Sequence, residues 1–195
     1  MLPARKPMLQ KPTQVKKLQR YTYADYYSWD DDKRWELIDG IAYAMAPGPS
    51  FSHQSILGNI YRQISNFLFG KKCNVLLAPL DVRLNADAKD DTVVQPDLLI
   101  VCDESKLNER GCAGAPDMVV EILSPSSAEH DMVRKYELYL KCGVREYWIV
   151  DPNAKTVVTY ILDNSAYVRK DYNKTDVVPV SVVEGCFVDF GKVFS

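Results

Sequence analysis

Two acidic residues stand inside runs that are otherwise almost wholly apolar: Asp97 in VVQPDLLIV and Glu121 in MVVEILS. A carboxylate is costly in such a setting unless it is paired, hydrogen-bonded or bound to a metal. If the runs are neighbouring strands, alternation puts Val119, Glu121 and Leu123 on one face, and Asp97 can share it. Like charges brought that close need a positive charge between them. A magnesium ion (Mg2+), with manganese (Mn2+) as its substitute, would supply one, taking both carboxylates, a backbone carbonyl and waters as ligands. The plainer account puts each acid at an exposed strand end or against an arginine.

Four further residues could join this chemistry. Glu36, in RWELIDG, is a candidate third metal ligand or water-orienting acid, against a solvent-facing place on a hairpin. Asp81, which alternates with Val82 and Arg83 in PLDVRL, ranks below it, because a cross-strand Asp–Arg pair accounts for it more simply. Lys135 lies on the helix after Glu121, where its ammonium could neutralise a developing oxyanion. Its rival role is an i, i+4 pair with Asp131, worth only a few tenths of a kcal/mol. His53, in the first turn of a helix, is a phosphate-contacting or supporting group, or simply a structural histidine.

These residues need a scaffold, and the hydrophobic periods outline one. Thr22 is placed to cap a short aromatic helix, TYADYYSW. Asp39-Gly40 between apolar runs predicts a hairpin. Ile56, Ile60, Ile64, Phe67 and Leu68 recur at helical spacing. Strand-like runs follow over 75–84, 93–102 and 118–124, the last two continuous enough to be covered on both faces. Residues 126–142 read as a helix with Met132, Tyr136, Tyr139 and Leu140 inward and Gly143 as its stop. REYWIVD, KTVVTYIL and AYVRKDY then read as a meander, and the tail through Val182 and Val188 as one or two short edge strands. The α/β domain so outlined runs over residues 22–195, behind a basic arm over residues 1–21 that holds six cations, three prolines and no acid.

A chain of 195 residues can bury a real core, and its net charge of −2 argues against holding nucleic acid by bulk charge. The arm remains a candidate contact to phosphate. No apolar run is long enough to span a bilayer, so no membrane partner is expected. The five cysteines form no CxxC pair and no secretory signal is visible, so reduced thiols and a cytoplasmic location are expected. With only His53 and His130 in the chain, a zinc site is disfavoured.

Pro96-Asp97 followed by Glu121-Ile122-Leu123 resembles the motif of the PD-(D/E)XK nuclease superfamily, although Leu123 stands where that motif has its lysine. More closely, the chain resembles the Uma two family of restriction-endonuclease-like proteins. The resemblance runs through WELIDG, PGPSFSHQSILGNI, APLDVRL, VVQPDLLIV, DMVVEILSPSS and RKYELYLKCGVREYWIVDP, over about residues 22 to 165. It implies a restriction-endonuclease-like α/β fold, a mixed central sheet flanked by helices. It also implies Mg2+-dependent hydrolysis of phosphodiesters, with DNA as the expected substrate and a homodimer as the expected assembly. Lys135 would stand in for the motif lysine, and Glu36, Asp97, Glu121 and Lys135 form the implied site, with Glu36 completing the metal shell. Two other readings stay open: a non-catalytic protein of this fold that binds nucleic acid or a protein partner, and a hydrolase of smaller phosphoesters.

Overall fold

A computed structural model describes residues 19–195 except 46–47, 87 and 125–129. The basic arm therefore lies, up to residue 18, outside the described residues. Thr22 caps α1 (Tyr23–Tyr27): its side chain accepts from the Asp25 N–H, and the Asp25 carboxylate accepts from the Thr22 N–H. Tyr23 is buried on Leu37 and Val93. Asp39 and Gly40, at φ 47° and 79°, make the tight turn between β1 (Trp35–Ile38) and β2 (Ile41–Ala44). Ser50 caps α2 (Phe51–Leu68), which buries Ile56, Ile60, Ile64 and Leu68 along one side.

The middle of the chain holds β3 (Asn74–Leu77), β4 (Val82–Arg83), β5 (Val93–Val94), β6 (Leu98–Val101), β7 (Leu107–Asn108), β8 (Gly111–Ala113) and β9 (Met118–Ile122). Next come α3 (His130–Cys142) and the meander β10 (Glu146–Asp151), β11 (Thr156–Asp163) and β12 (Ala166–Asn173). β13 (Val177–Pro179) and β14 (Phe187–Asp189) pair with each other, and α4 (Phe190–Val193) follows.

The central sheet is mixed, in the order β12-β11-β10-β9-β6-β3, with β9 and β10 parallel and the other neighbours antiparallel. Alternation along β9 divides the core. Met118, Val120 and Ile122 pack with α2, β14 and α4. Val119 packs on the other face with Leu138 and Tyr139 of α3 and with Ile38, Val82 and Val94 of a second sheet, ordered β2-β1-β5-β4-β8-β7. The protein is thus α/β with layers on both sides of one buried sheet.

Three expectations are corrected. The runs 75–84 and 93–102 are not single strands. Each divides at a proline, Pro79 and Pro96, which has no N–H to give a ladder, so β3 and β6 enter the central sheet while β4 and β5 enter the second. Asp81 accepts from the Tyr26 hydroxyl and the Gln95 amide while Arg83 pairs with Asp90 at 2.6 Å, so among the described residues the cross-strand Asp–Arg pair expected at Asp81 does not form. Cys73 and Cys102 are joined by a disulfide between β3 and β6, which removes the five-reduced-thiol argument for a cytoplasmic location; Cys112, Cys142 and Cys186 are free. No helix among the described residues is long and apolar enough to cross a membrane.

Candidate active site

β6 and β9 run antiparallel with Leu98 opposite Val120, so the next step of that register carries Asp97 toward Glu121 at the end of the sheet. Asp97 is the residue that the Pro96 break leaves just outside β6. Its Oδ2 accepts from the Ile122 N–H at 2.8 Å and lies 3.2 Å from His53 Nε2, which α2 delivers from its capped first turn. The apolar run hence supplies a carboxylate with a fixed backbone partner instead of an interior strand residue.

Glu121 is met from above by α3. Lys135 Nζ donates to Glu121 Oε1 at 2.9 Å and the Tyr139 hydroxyl donates to the same oxygen at 2.7 Å, i and i+4 on one helix face. Glu36 comes from β1: its Oε1 lies 3.2 Å from Lys135 Nζ and accepts from the Gln95 N–H at 3.3 Å. Lys135 is therefore clasped between Glu121 and Glu36, and all three side chains are largely buried. Asp131, the other partner weighed for Lys135, has its side chain outside the described residues.

Burial pushes the Glu121 carboxyl up to about 7; Lys135 opposes this, and the charges of Asp97 and Glu36 add to it. Burial alone would lower the Lys135 pKa, but Glu121 and Glu36 outweigh it and hold the group above its ordinary value. Lys135 is accordingly a fixed ammonium, suited to neutralising charge and not to taking a proton. The hydrogen bond to Asp97 raises the His53 pKa against the opposing effect of burial.

The donor set fits a hard divalent cation. Asp97 Oδ2 and Glu121 Oε1 each already hold two donors, and among the described residues nothing donates to Asp97 Oδ1 or Glu121 Oε2. Two carboxylate oxygens completed by water suit Mg2+, which commonly keeps several waters. Among the described residues no three His, Cys, Asp or Glu side chains group as a metal cluster, and Glu36 meets Lys135 at 3.2 Å.

Asp81 stands apart from this centre, its Oδ1 accepting from the Tyr26 hydroxyl and the Gln95 amide, each at 2.9 Å. Two contributors escaped sequence reasoning. Tyr139 scans as a core residue by helical period, and only its spacing of four from Lys135 hinted at a shared target. Gln95 contributes a backbone N–H, which no side-chain pattern reveals.

The Uma2 family model, described as "putative restriction endonuclease", matches residues 23–189. The uncharacterized protein slr1290 of Synechocystis sp. is 29% identical over 117 residues, covering 59% of this chain and 60% of that relative's length. A solved structure from Anabaena variabilis ATCC 29413, described as a putative nuclease belonging to DUF820, is similar with a TM-score of 0.72 at 21% identity. That likeness covers 89% of this chain and 97% of the other and establishes the shared fold.

Proposed function

The chain belongs to the Uma2 family, and from that membership and the site's geometry we propose that it is a metal-dependent nuclease that hydrolyses phosphodiester bonds in DNA. The observation that carries this reading is the division of labour within each carboxylate. One oxygen of Asp97 and one of Glu121 are saturated by protein donors, while the opposite oxygens receive none from the described residues. A pair of acids serving only the fold would gain by having all their oxygens satisfied.

Asp97 Oδ1 and Glu121 Oε2 would hold Mg2+, with the Ile122 carbonyl as a further ligand. The ion, when bound, supplies Lewis acidity toward the phosphate and lowers the pKa of water. A water oxygen bonds to phosphorus and releases a proton to solvent while the bond to the leaving sugar oxygen breaks, and that oxygen takes up a proton from solvent to leave as an alcohol. Negative charge builds on the phosphoryl oxygens, and the Lys135 ammonium faces it from a position that needs no reorganisation. Glu36 keeps that ammonium aimed through its 3.2 Å contact. Lys135 thereby does from a helix what the motif lysine does from the strand, where this chain has Leu123.

Cutting both strands of a duplex favours a two-fold homodimer, the assembly to be checked by light scattering at micromolar concentration. The activity test is cleavage of labelled DNA in Mg2+ or Mn2+. Wild type is expected to cut, EDTA to abolish cutting, and Asp97→Ala to remove it while leaving the fold intact. DNA bound but uncut under every metal condition would favour the non-catalytic reading instead.

A further inference from the structure

We propose that His53 is a positioning residue whose Nε2–H bond to Asp97 selects which carboxylate oxygen faces the cation. The inference rests on the nuclease reading above and deepens it. His53 is buried, 7% exposed, among the apolar positions of α2, next to Ile56 and Leu57. Its side-chain partner is Asp97 Oδ2, at 3.2 Å, and the Ile122 backbone also lies close enough to favour the protonated ring. That oxygen also accepts from the Ile122 N–H, so it acts as an acceptor and the proton must sit on His53 Nε2.

The other ring nitrogen decides between a structural and a functional role. His53 Nδ1 is one of two buried side-chain polar atoms among the described residues with no partner. In either protonation state of the ring it is a buried polar atom left unmet, a cost that a leucine in the same slot of α2 would avoid. The buried positions beside it on α2, Ile56 and Leu57, are apolar, so the helix face gives no reason for an imidazole. The contact to Asp97 does.

Its effect on Asp97 follows from geometry. With the Ile122 N–H alone, the carboxylate could pivot about one hydrogen bond and present either oxygen. A second donor, arriving from α2 while the first comes from β9, fixes the plane of the group and turns Oδ1 outward. A ligand held this way binds a metal more tightly, because its orientation is settled before the ion arrives.

The test uses Mn2+ binding by calorimetry on full-length protein without substrate, with thermal melting to report the fold. His53→Leu is expected to weaken Mn2+ binding roughly 10- to 100-fold, the usual consequence of losing a group that orients a ligand. His53→Gln, which places an amide N–H near the Nε2 position, should recover most of that affinity. Side-chain nitrogen NMR gives a metal-free readout: wild type should show the Nε2–H tautomer, and Asp97→Ala should lose that preference even where His53→Leu folds poorly. Unchanged Mn2+ affinity in a folded His53→Leu protein, or an Nδ1–H tautomer in wild type, overturns the assignment. Wild type that takes up no Mn2+ overturns the metal reading and this inference with it, whereas a failure confined to His53→Leu leaves the nuclease reading standing.

Discussion

Replacing Lys135 with methionine keeps most of the apolar stem and deletes the ammonium, which isolates the charge as the variable. In the native site that ammonium lies 2.9 Å from Glu121 and 3.2 Å from Glu36, with a side chain only 15% exposed. Its removal leaves two acids facing each other in a poorly solvated space. Deleting one partner of a buried ionic contact costs about 3–5 kcal/mol. For a chain of this size each kcal/mol moves the melting temperature by about 2–4 °C, so the expected drop is roughly 6–20 °C. The sign with pH is fixed by Glu121. Burial has already raised its carboxyl to about 7, and without Lys135 it must rise further. The folded state then binds a proton that the unfolded state has released, so the variant regains stability as the pH falls. Melting in EDTA at pH 8.5 and pH 6.0 measures both effects, and the deficit should be the larger at pH 8.5. DNA cleavage should be lost at either pH. Equal melting temperatures for the two proteins at pH 8.5, or a deficit that grows on acidification, would refute the clasped-ammonium account.

The same logic of buried charge applies away from the site. Glu146 is fully buried, with its Oε1 accepting from Trp148 Nε1 at 2.8 Å and its Oε2 from the Val182 N–H at 2.9 Å, and burial raises its pKa above the ordinary 4.5. The stability it contributes is therefore full below about pH 4.5 and declines as the pH rises through the folded value. Glu146→Gln, costing about 1–3 kcal/mol for the misplaced amide, should close part of its deficit as the pH rises from 4 to 7 in urea titrations, and a widening deficit would contradict this. The Cys73–Cys102 disulfide spans a sequence separation of 29, so reduction should cost about 3–4 kcal/mol by the loop-entropy account. Thiol titration of unfolded, unreduced protein should find Cys112, Cys142 and Cys186 only, and five reactive thiols would show that the bond is absent.

Local patterns determined a large part of this protein. The Asp39-Gly40 hairpin, the Thr22 cap, the α2 face from Ile56 to Leu68 and the β10–β12 meander all follow from periods and turn residues whose causes lie within a few positions of the chain. The cost of a carboxylate in apolar sequence likewise singled out Asp97 and Glu121 before any fold was known. What the sequence could not specify is which distant elements meet, because register and layer order depend on the whole core and not on any one segment. The division of residues 93–102 between two sheets was signalled by Pro96, but its result, Asp97 freed at a strand end with the Ile122 N–H as partner, required β9 to lie alongside. The same holds for Lys135. Its place on a helix was legible, whereas its seat between Glu121 and Glu36 depends on α3 crossing one sheet beneath a hairpin from the other. Tyr139 and Gln95 were hidden for a related reason: an aromatic at a core position and a backbone N–H carry no chemical signature until the fold points them at a carboxylate.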